Sequence, residues 1–239
     1  MIKVVSFKIC PFVQRVTALL EAKKIPYEIE YISLKDKPQW FLEISPHGQV
    51  PVLITENGQP LFESDAIVEY LEDAYPALAP DLSPEQRAVN RAWSYLASKN
   101  YLVQCSAQRS ADKATLSERS QKLEKAFAAV EAVLEQGEGE TPYFNSATIG
   151  MVDIAWLPLL HRAAIIEQRS CHDFLAGYPK VKAWQQTLLA TGLAELSVSA
   201  DFEQAFCDFY LSGETFLGGR SESCGDGRAD QACSSGSCC

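Results

Sequence analysis

The chain has 239 residues, 47 % hydrophobic and 22 % charged, with a formal net charge of −10. That is enough to bury a substantial core in one large domain or two small ones. The acidic balance and the lack of a Lys/Arg cluster exclude a nucleic-acid-binding face, which must be basic, yet leave room for a locally positive site for a small anion.

No apolar run approaches the roughly 18 residues of a membrane span, and residues 1–7 lack the apolar core and cleavage site of a secretory leader. A cytoplasmic location without membrane association is therefore expected. The eight cysteines then sit in a reducing compartment, where reactive or metal-binding roles outweigh a disulfide framework. Cys10, Cys105, Cys171 and Cys207 are scattered, whereas Cys224, Cys233, Cys238 and Cys239 crowd the end.

Residues 3–7 read as a strand, and residues 11–22 as a helix with Val13, Val16, Leu19 and Leu20 on its apolar face. Residues 27–32 alternate as a second strand, with Tyr27, Ile29 and Tyr31 on one side. Residues 52–55 and 60–62 flank Asn57-Gly58 and predict a hairpin, and Ser64 opens another helix. This order makes a compact α/β module over residues 1–76. Pro76, Pro80 and Pro84 mark a linker over 77–84.

Residues 85–212 read as helical almost throughout, an all-helical domain. Leu123, Phe127, Val130 and Leu134 fall at the spacing of one buried helix face, and helices are predicted over 151–167, kinked at Pro158, and over 180–190. Residues 213–239 turn Gly/Ser/Cys-rich and lose periodicity, which predicts a disordered tail. Its thiols suit soft metals or disulfide exchange, but Cys238-Cys239 lacks structural zinc spacing, and incidental thiols are the simpler reading. His47, His161 and His172 show no metal spacing, so no metal ligands are assigned.

Cys10 lies at the join of the first strand and first helix. A thiol there faces unpaired N–H groups and the positive end of the helix dipole, which favour the reactive thiolate. Pro11 suits the first helical turn, where its missing N–H costs nothing. In Cys10-Pro11-Phe12-Val13, valine stands where a dithiol oxidoreductase carries its second cysteine. A mixed disulfide on Cys10 would thus require a soluble thiol to resolve it. The bland alternative is a buried, inert cysteine.

Further motifs follow in a fixed order: Leu34-Lys35-Asp36-Lys37-Pro38-Gln39-Trp40-Phe41, Gly48-Gln49-Val50-Pro51-Val52-Leu53, Phe62-Glu63-Ser64, Ala74-Tyr75-Pro76, and Tyr178-Pro179-Lys180-Val181-Lys182-Ala183-Trp184. With Cys10-Pro11-Phe12, this set resembles the omega class of glutathione transferases over residues 1–212. The resemblance implies an α/β thioredoxin-like N-terminal domain plus an all-α C-terminal domain, assembled as a homodimer. It also implies glutathione as co-substrate. Cys10 would form the mixed disulfide, with Phe12 beside it. Lys37 would reach the glycine carboxylate, Val50 would pair its backbone with the cysteinyl part, and Glu63 and Ser64 would hold the γ-glutamyl end. For Val50 this requires a cis bond to Pro51, the isomer that X–Pro bonds tolerate.

The activities so implied are thiol transfer, deglutathionylation and dehydroascorbate reduction on small disulfide or electrophilic substrates, with weak conjugation. Two features depart from the pattern: Gly150 replaces a capping Ser or Thr, and Phe202 stands where some omega members carry a tryptophan near the second-substrate pocket. The competing expectation is a non-catalytic protein of the same fold, either a stringent-starvation-like regulator or an intracellular chloride-channel-like protein. Cys10 and Lys37 oppose the first, and Lys23 and Lys24 beside the Cys10 helix oppose membrane insertion in the second.

Overall fold

A computed structural model describes residues 1–137 and 141–219. Its first third is a four-stranded sheet with helices on both faces. In order come β1 (Ile2–Ser6), α1 (Pro11–Ala22), β2 (Tyr27–Tyr31), α2 (Gln39–Ile44), β3 (Val52–Ile54), β4 (Pro60–Phe62) and α3 (Ser64–Ala74). The sheet order is β2-β1-β3-β4, parallel between β1 and β2 and antiparallel elsewhere. β1 is central and apolar on both sides, as a strand covered on both faces must be. Ile2 and Val4 enter the main core with α1 and α3, while Val5 meets Phe41 of α2, Ile32 and Val52 on the opposite face.

β2 departs from its sequence pattern. It is an edge strand, and Ile29 and Tyr31 stay exposed instead of lining the core. The hairpin forms as expected, with Gly58 at φ 81°, a backbone state glycine reaches without steric cost.

Helices make up the rest: α4 (Pro84–Gln108), α5 (Lys113–Gln136), α6 (Met151–Ser170), α7 (Pro179–Ala190), α8 (Leu193–Leu196) and α9 (Phe202–Tyr210). Ser83 caps α4 in a box with Gln86, and Pro84 takes the first helical position. α6 is the central helix and runs unbroken through Pro158. It packs on α4, α1 and α7, and is buried nearly all round. Leu123, Phe127 and Val130 on α5 are buried as their spacing predicts, and Leu134 packs at the margin.

The cap of α6 shows how Gly150 is tolerated. The buried Asp153 carboxylate accepts from Gly150 N–H at 2.8 Å, Phe144 N–H at 3.0 Å and the Trp184 indole at 2.7 Å. One acidic side chain therefore ties α6, α7 and the 141–150 segment together, even without a hydroxyl at position 150.

The expected disorder from residue 213 does not hold for 213–219. Phe216 N–H donates to Ser110 O at 2.8 Å, and Leu217 is fully buried in the main core. Cys224, Cys233, Cys238 and Cys239, with the role read for them, lie outside the described residues.

Candidate functional site

Sheet register brings the candidate residues to one end. Ser6 ends β1 opposite Tyr31 of β2, and Val5 pairs with Val52, which pairs with Phe62. The Cys10 loop, the 32–38 loop, Val50-Pro51 and Glu63-Ser64 thus all leave the sheet at the same edge. Open α/β sheets place ligands at such an edge.

Cys10 occupies the N-cap of α1, at φ −78° and ψ 120°. Its N–H donates to Phe7 O at 3.0 Å, and its carbonyl accepts the first helical bond, from Gln14 N–H, at 3.1 Å. The thiol makes no cap hydrogen bond, but the Phe12 and Val13 N–H groups lie near enough to favour its ionised form. Phe12 meets Tyr101 of α4 edge-on, with ring centroids 5.0 Å apart.

The Val50–Pro51 bond is cis. Lys37 is half-buried, and its ammonium lies 3.4 Å from where a Cβ on Gly48 would sit. Gly48, at φ 58°, thus keeps room for it on a backbone that favours glycine. No carboxylate pairs with Lys37 among the described residues. Glu63 lies just before α3 at φ 66°, a strained state for a residue with a side chain, and is exposed. Ser64 is buried at the first position of α3, among free helical N–H groups. A lysine with no carboxylate partner among the described residues, an exposed carboxylate and a helix N-terminus thus lie at the same end of the sheet as the Cys10 loop.

Residues 9–74 match the family described as Glutathione S-transferase, N-terminal domain, and residues 113–186 match Glutathione S-transferase, C-terminal domain. Glutathione S-transferase omega-1 of Sus scrofa is 34 % identical over 214 residues, covering 88 % of this chain and 86 % of the pig protein. The chain belongs to the omega class of the glutathione transferases. Another relative, Glutathione S-transferase DHAR2 of Arabidopsis thaliana, is 35 % identical over 156 residues, or 65 % of this chain and 68 % of that protein. The solved glutathione transferase Omega 3C of Trametes versicolor superposes with a TM-score of 0.71 at 26 % identity, covering 87 % of this chain and 89 % of its own. The fold is accordingly a thioredoxin-like unit joined to a helical one, and the protein is a glutathione-dependent enzyme with glutathione as co-substrate. Neither non-catalytic alternative is favoured.

Burial disfavours the thiolate of Cys10. Burial pushes Cys10 up to about 11, and this outweighs the Val13 and Phe12 N–H groups and the Arg162 guanidinium, which pull it down. The helix-terminus expectation had the right sign for its own contribution but omitted the helical half packed over the sulfur. The side chain is half-buried all the same, not sealed.

Arg162 of α6 is the largest feature that the sequence reading missed. Its fully buried guanidinium donates to Gln14 Oε1, to Pro158 O at 3.1 Å and to Ile9 O at 3.3 Å, next to Cys10. It also lies over the Phe202 ring at 5.2 Å. Among the described residues it has no carboxylate partner.

Gln14 in turn donates to His161 Nδ1 at 2.9 Å, and burial holds His161 neutral, down at about 3. His161 also stacks on Phe202 at 5.3 Å. Phe202, expected near a substrate pocket, is buried against this pair. The second omission is Cys105 of α4, a thiol within electrostatic reach of Cys10. No spacing rule could link residues 10 and 105. Only the packing of α4 on α1 does.

Proposed function

We propose that the protein transfers thiols and reduces dehydroascorbate through a mixed disulfide at Cys10. The unit over residues 1–76 binds glutathione, and that over 85–212 shapes the second-substrate site. The observation that carries the reading is the convergence of Cys10, cis Val50–Pro51, Glu63, Ser64 and the unpaired Lys37 at one end of the sheet.

Lys37 supplies a point charge to the glycine carboxylate, while Glu63 accepts from the γ-glutamyl ammonium and Ser64 with the α3 N-terminus faces its carboxylate. The Val50 backbone aligns the cysteinyl part, and Phe12 flanks it. The peptide's sulfur is thereby held at Cys10.

With a glutathionylated substrate, the Cys10 sulfur gives up its proton and attacks the glutathione sulfur. That S–S bond breaks, the substrate leaves as a thiolate that takes up a proton, and Cys10 is left joined to glutathione. A second glutathione attacks the adduct's glutathione sulfur, releasing glutathione disulfide and the Cys10 thiolate. With dehydroascorbate, two glutathiones supply the two electrons and two protons that make ascorbate, again leaving glutathione disulfide.

The protein acts in the cytoplasm as a homodimer; Phe62, Val89 and Leu102, large apolar side chains left exposed on β4 and α4, support association. The test compares the purified protein with Cys10→Ala for glutathione-dependent reduction of a small glutathione mixed disulfide. Turnover is expected in the parent and a loss of at least about 100-fold in the variant. Equal turnover in both refutes the role of Cys10.

A further inference from the structure

α4 carries Tyr101 and Cys105 one helical turn apart, so both project from the same face. Tyr101 meets Phe12, the second residue of α1, which places Cys105 on the same side of α4 as the start of α1. Cys105 is half-buried in the core that holds Cys10 and Phe12. Its thiol lies near enough to the Tyr210 hydroxyl of α9 to oppose that phenol's ionisation. Arg162, fastened to the carbonyl before Cys10, acts on Cys10, Cys105, Tyr101 and Tyr210 together.

Two thiols therefore share one buried cation that has no carboxylate partner among the described residues. A buried unpaired charge is costly, and it favours an anion on whichever sulfur can ionise. Negative charge passing from one sulfur to the other stays beside the same guanidinium. The sequence reading, which found no second cysteine at position 13, made this a monothiol site.

We propose that Cys105 is a second reacting thiol of the site, which attacks the Cys10 mixed disulfide and closes a Cys10–Cys105 disulfide. The step rests on the mixed disulfide proposed above. Cys105 loses its proton to solvent, and its sulfur attacks Cys10 Sγ. The bond between Cys10 and the glutathione sulfur breaks, and glutathione leaves as a thiolate that is reprotonated. One glutathione then opens the new disulfide, freeing one protein thiol and forming a mixed disulfide. A second glutathione releases the other thiol and glutathione disulfide. Net of the glutathione released, one glutathione is consumed, as in direct resolution, and no other oxidant is needed. Closure requires the two Cα atoms to come within about 4.4–6.8 Å.

The test uses the full-length reduced protein, treated with oxidised glutathione, quenched with N-ethylmaleimide and digested with trypsin without reduction. Cleavage after Lys8, Arg15, Lys99 and Arg109 isolates Cys10 in residues 9–15 and Cys105 in residues 100–109. In the parent protein, glutathione on 9–15 should appear early and give way to the 9–15/100–109 cross-link. In Cys105→Ser the adduct on 9–15 should persist, at least tenfold above the parent at the same late time. Cys105→Ala, with folding checked by circular dichroism, serves if the serine variant misfolds.

An adduct that persists in the parent, with Cys105 labelled by maleimide, overturns the inference and leaves the proposed function standing. So does a cross-link from 9–15 to any other cysteine peptide. Failure of Cys105→Ser to take up glutathione on 9–15 overturns the proposed function and this step with it.

Discussion

Raising the pH tests the balance of forces on Cys10 directly. A thiol moved from 9.0 to about 11 is ionised, at pH 7, in about one molecule in 10,000 instead of about one in 100. The acid is weakened because burial penalises the charged form, so the thiolate gains population only as pH rises. Alkylation of residues 9–15 by iodoacetamide should climb about tenfold per pH unit from 7 to 10 without levelling. Arg162→Met removes the cation that favours the thiolate, so at fixed pH it should slow alkylation further. Cys105→Ser removes a neighbour whose ionisation opposes that of Cys10, so its effect should be smaller and opposite in sign. Peptide-resolved mass spectrometry separates this signal from the other cysteines. A plateau at or below pH 8 in the parent, or faster alkylation in Arg162→Met with unchanged circular dichroism, would refute the dominance of burial over the helix terminus and guanidinium.

Lys37→Met should raise the KM for glutathione about five- to tenfold with little change in kcat, since it removes a point charge from the end of the peptide remote from sulfur; steady-state kinetics at saturating disulfide would show the split, and a fall in kcat alone would contradict it. Gly150→Ser should stabilise the fold by a few tenths of a kcal/mol, because the backbone there is extended at φ −133° and a Cβ would meet nothing nearer than Asp153 Oδ2 at 3.7 Å. A urea midpoint that moves down would count against that account.

The parts legible in the sequence are those fixed by local chemistry. Proline after Cys10 set the start of α1, and Asn57-Gly58 set the hairpin. The Val50-Pro51 pair marked where a cis bond stands. Of the site residues, Cys10 was legible from its place at the join of a strand and a helix, whereas Phe12, Lys37, Val50, Glu63 and Ser64 were named by the resemblance. What was not legible depends on distant packing. Tyr27, Ile29 and Tyr31 alternate as a buried strand would, but only the sheet order shows that β2 is an edge. Residues 213–219 look like the start of a disordered tail by composition, yet Leu217 is buried because the chain beyond α9 turns back toward Ser110. Arg162 and Cys105 carried no signal, because their meaning comes from facing residue 10 across more than ninety intervening positions.

The polar side chains beneath α1 explain why its thiol can be both buried and positioned. Arg15, whose side chain is 1 % exposed, pairs with Asp65 at the start of α3, and Ser98 of α4 also donates to that carboxylate. Thr17 donates to Ser197 O at 2.6 Å, just beyond α8. Gln14 bridges His161 and Arg162 of α6. Arg15, Thr17 and Gln14 tie α1 to α3, to the end of α8 and to α6, and such bonds are costly to leave unmade in the interior, so α1 has few ways to slide or rotate. A hydrophobic contact alone would tolerate small shifts that directed polar bonds do not. The helix that places Cys10 is thus fixed from below by α3, α6 and the end of α8, while its N-terminus stays half-open at the sheet edge. Burial that weakens the thiol as an acid and rigidity that aims it at a docked peptide come from the same packing of the helical half onto α1. Loosening that packing to ease ionisation would also loosen the aim.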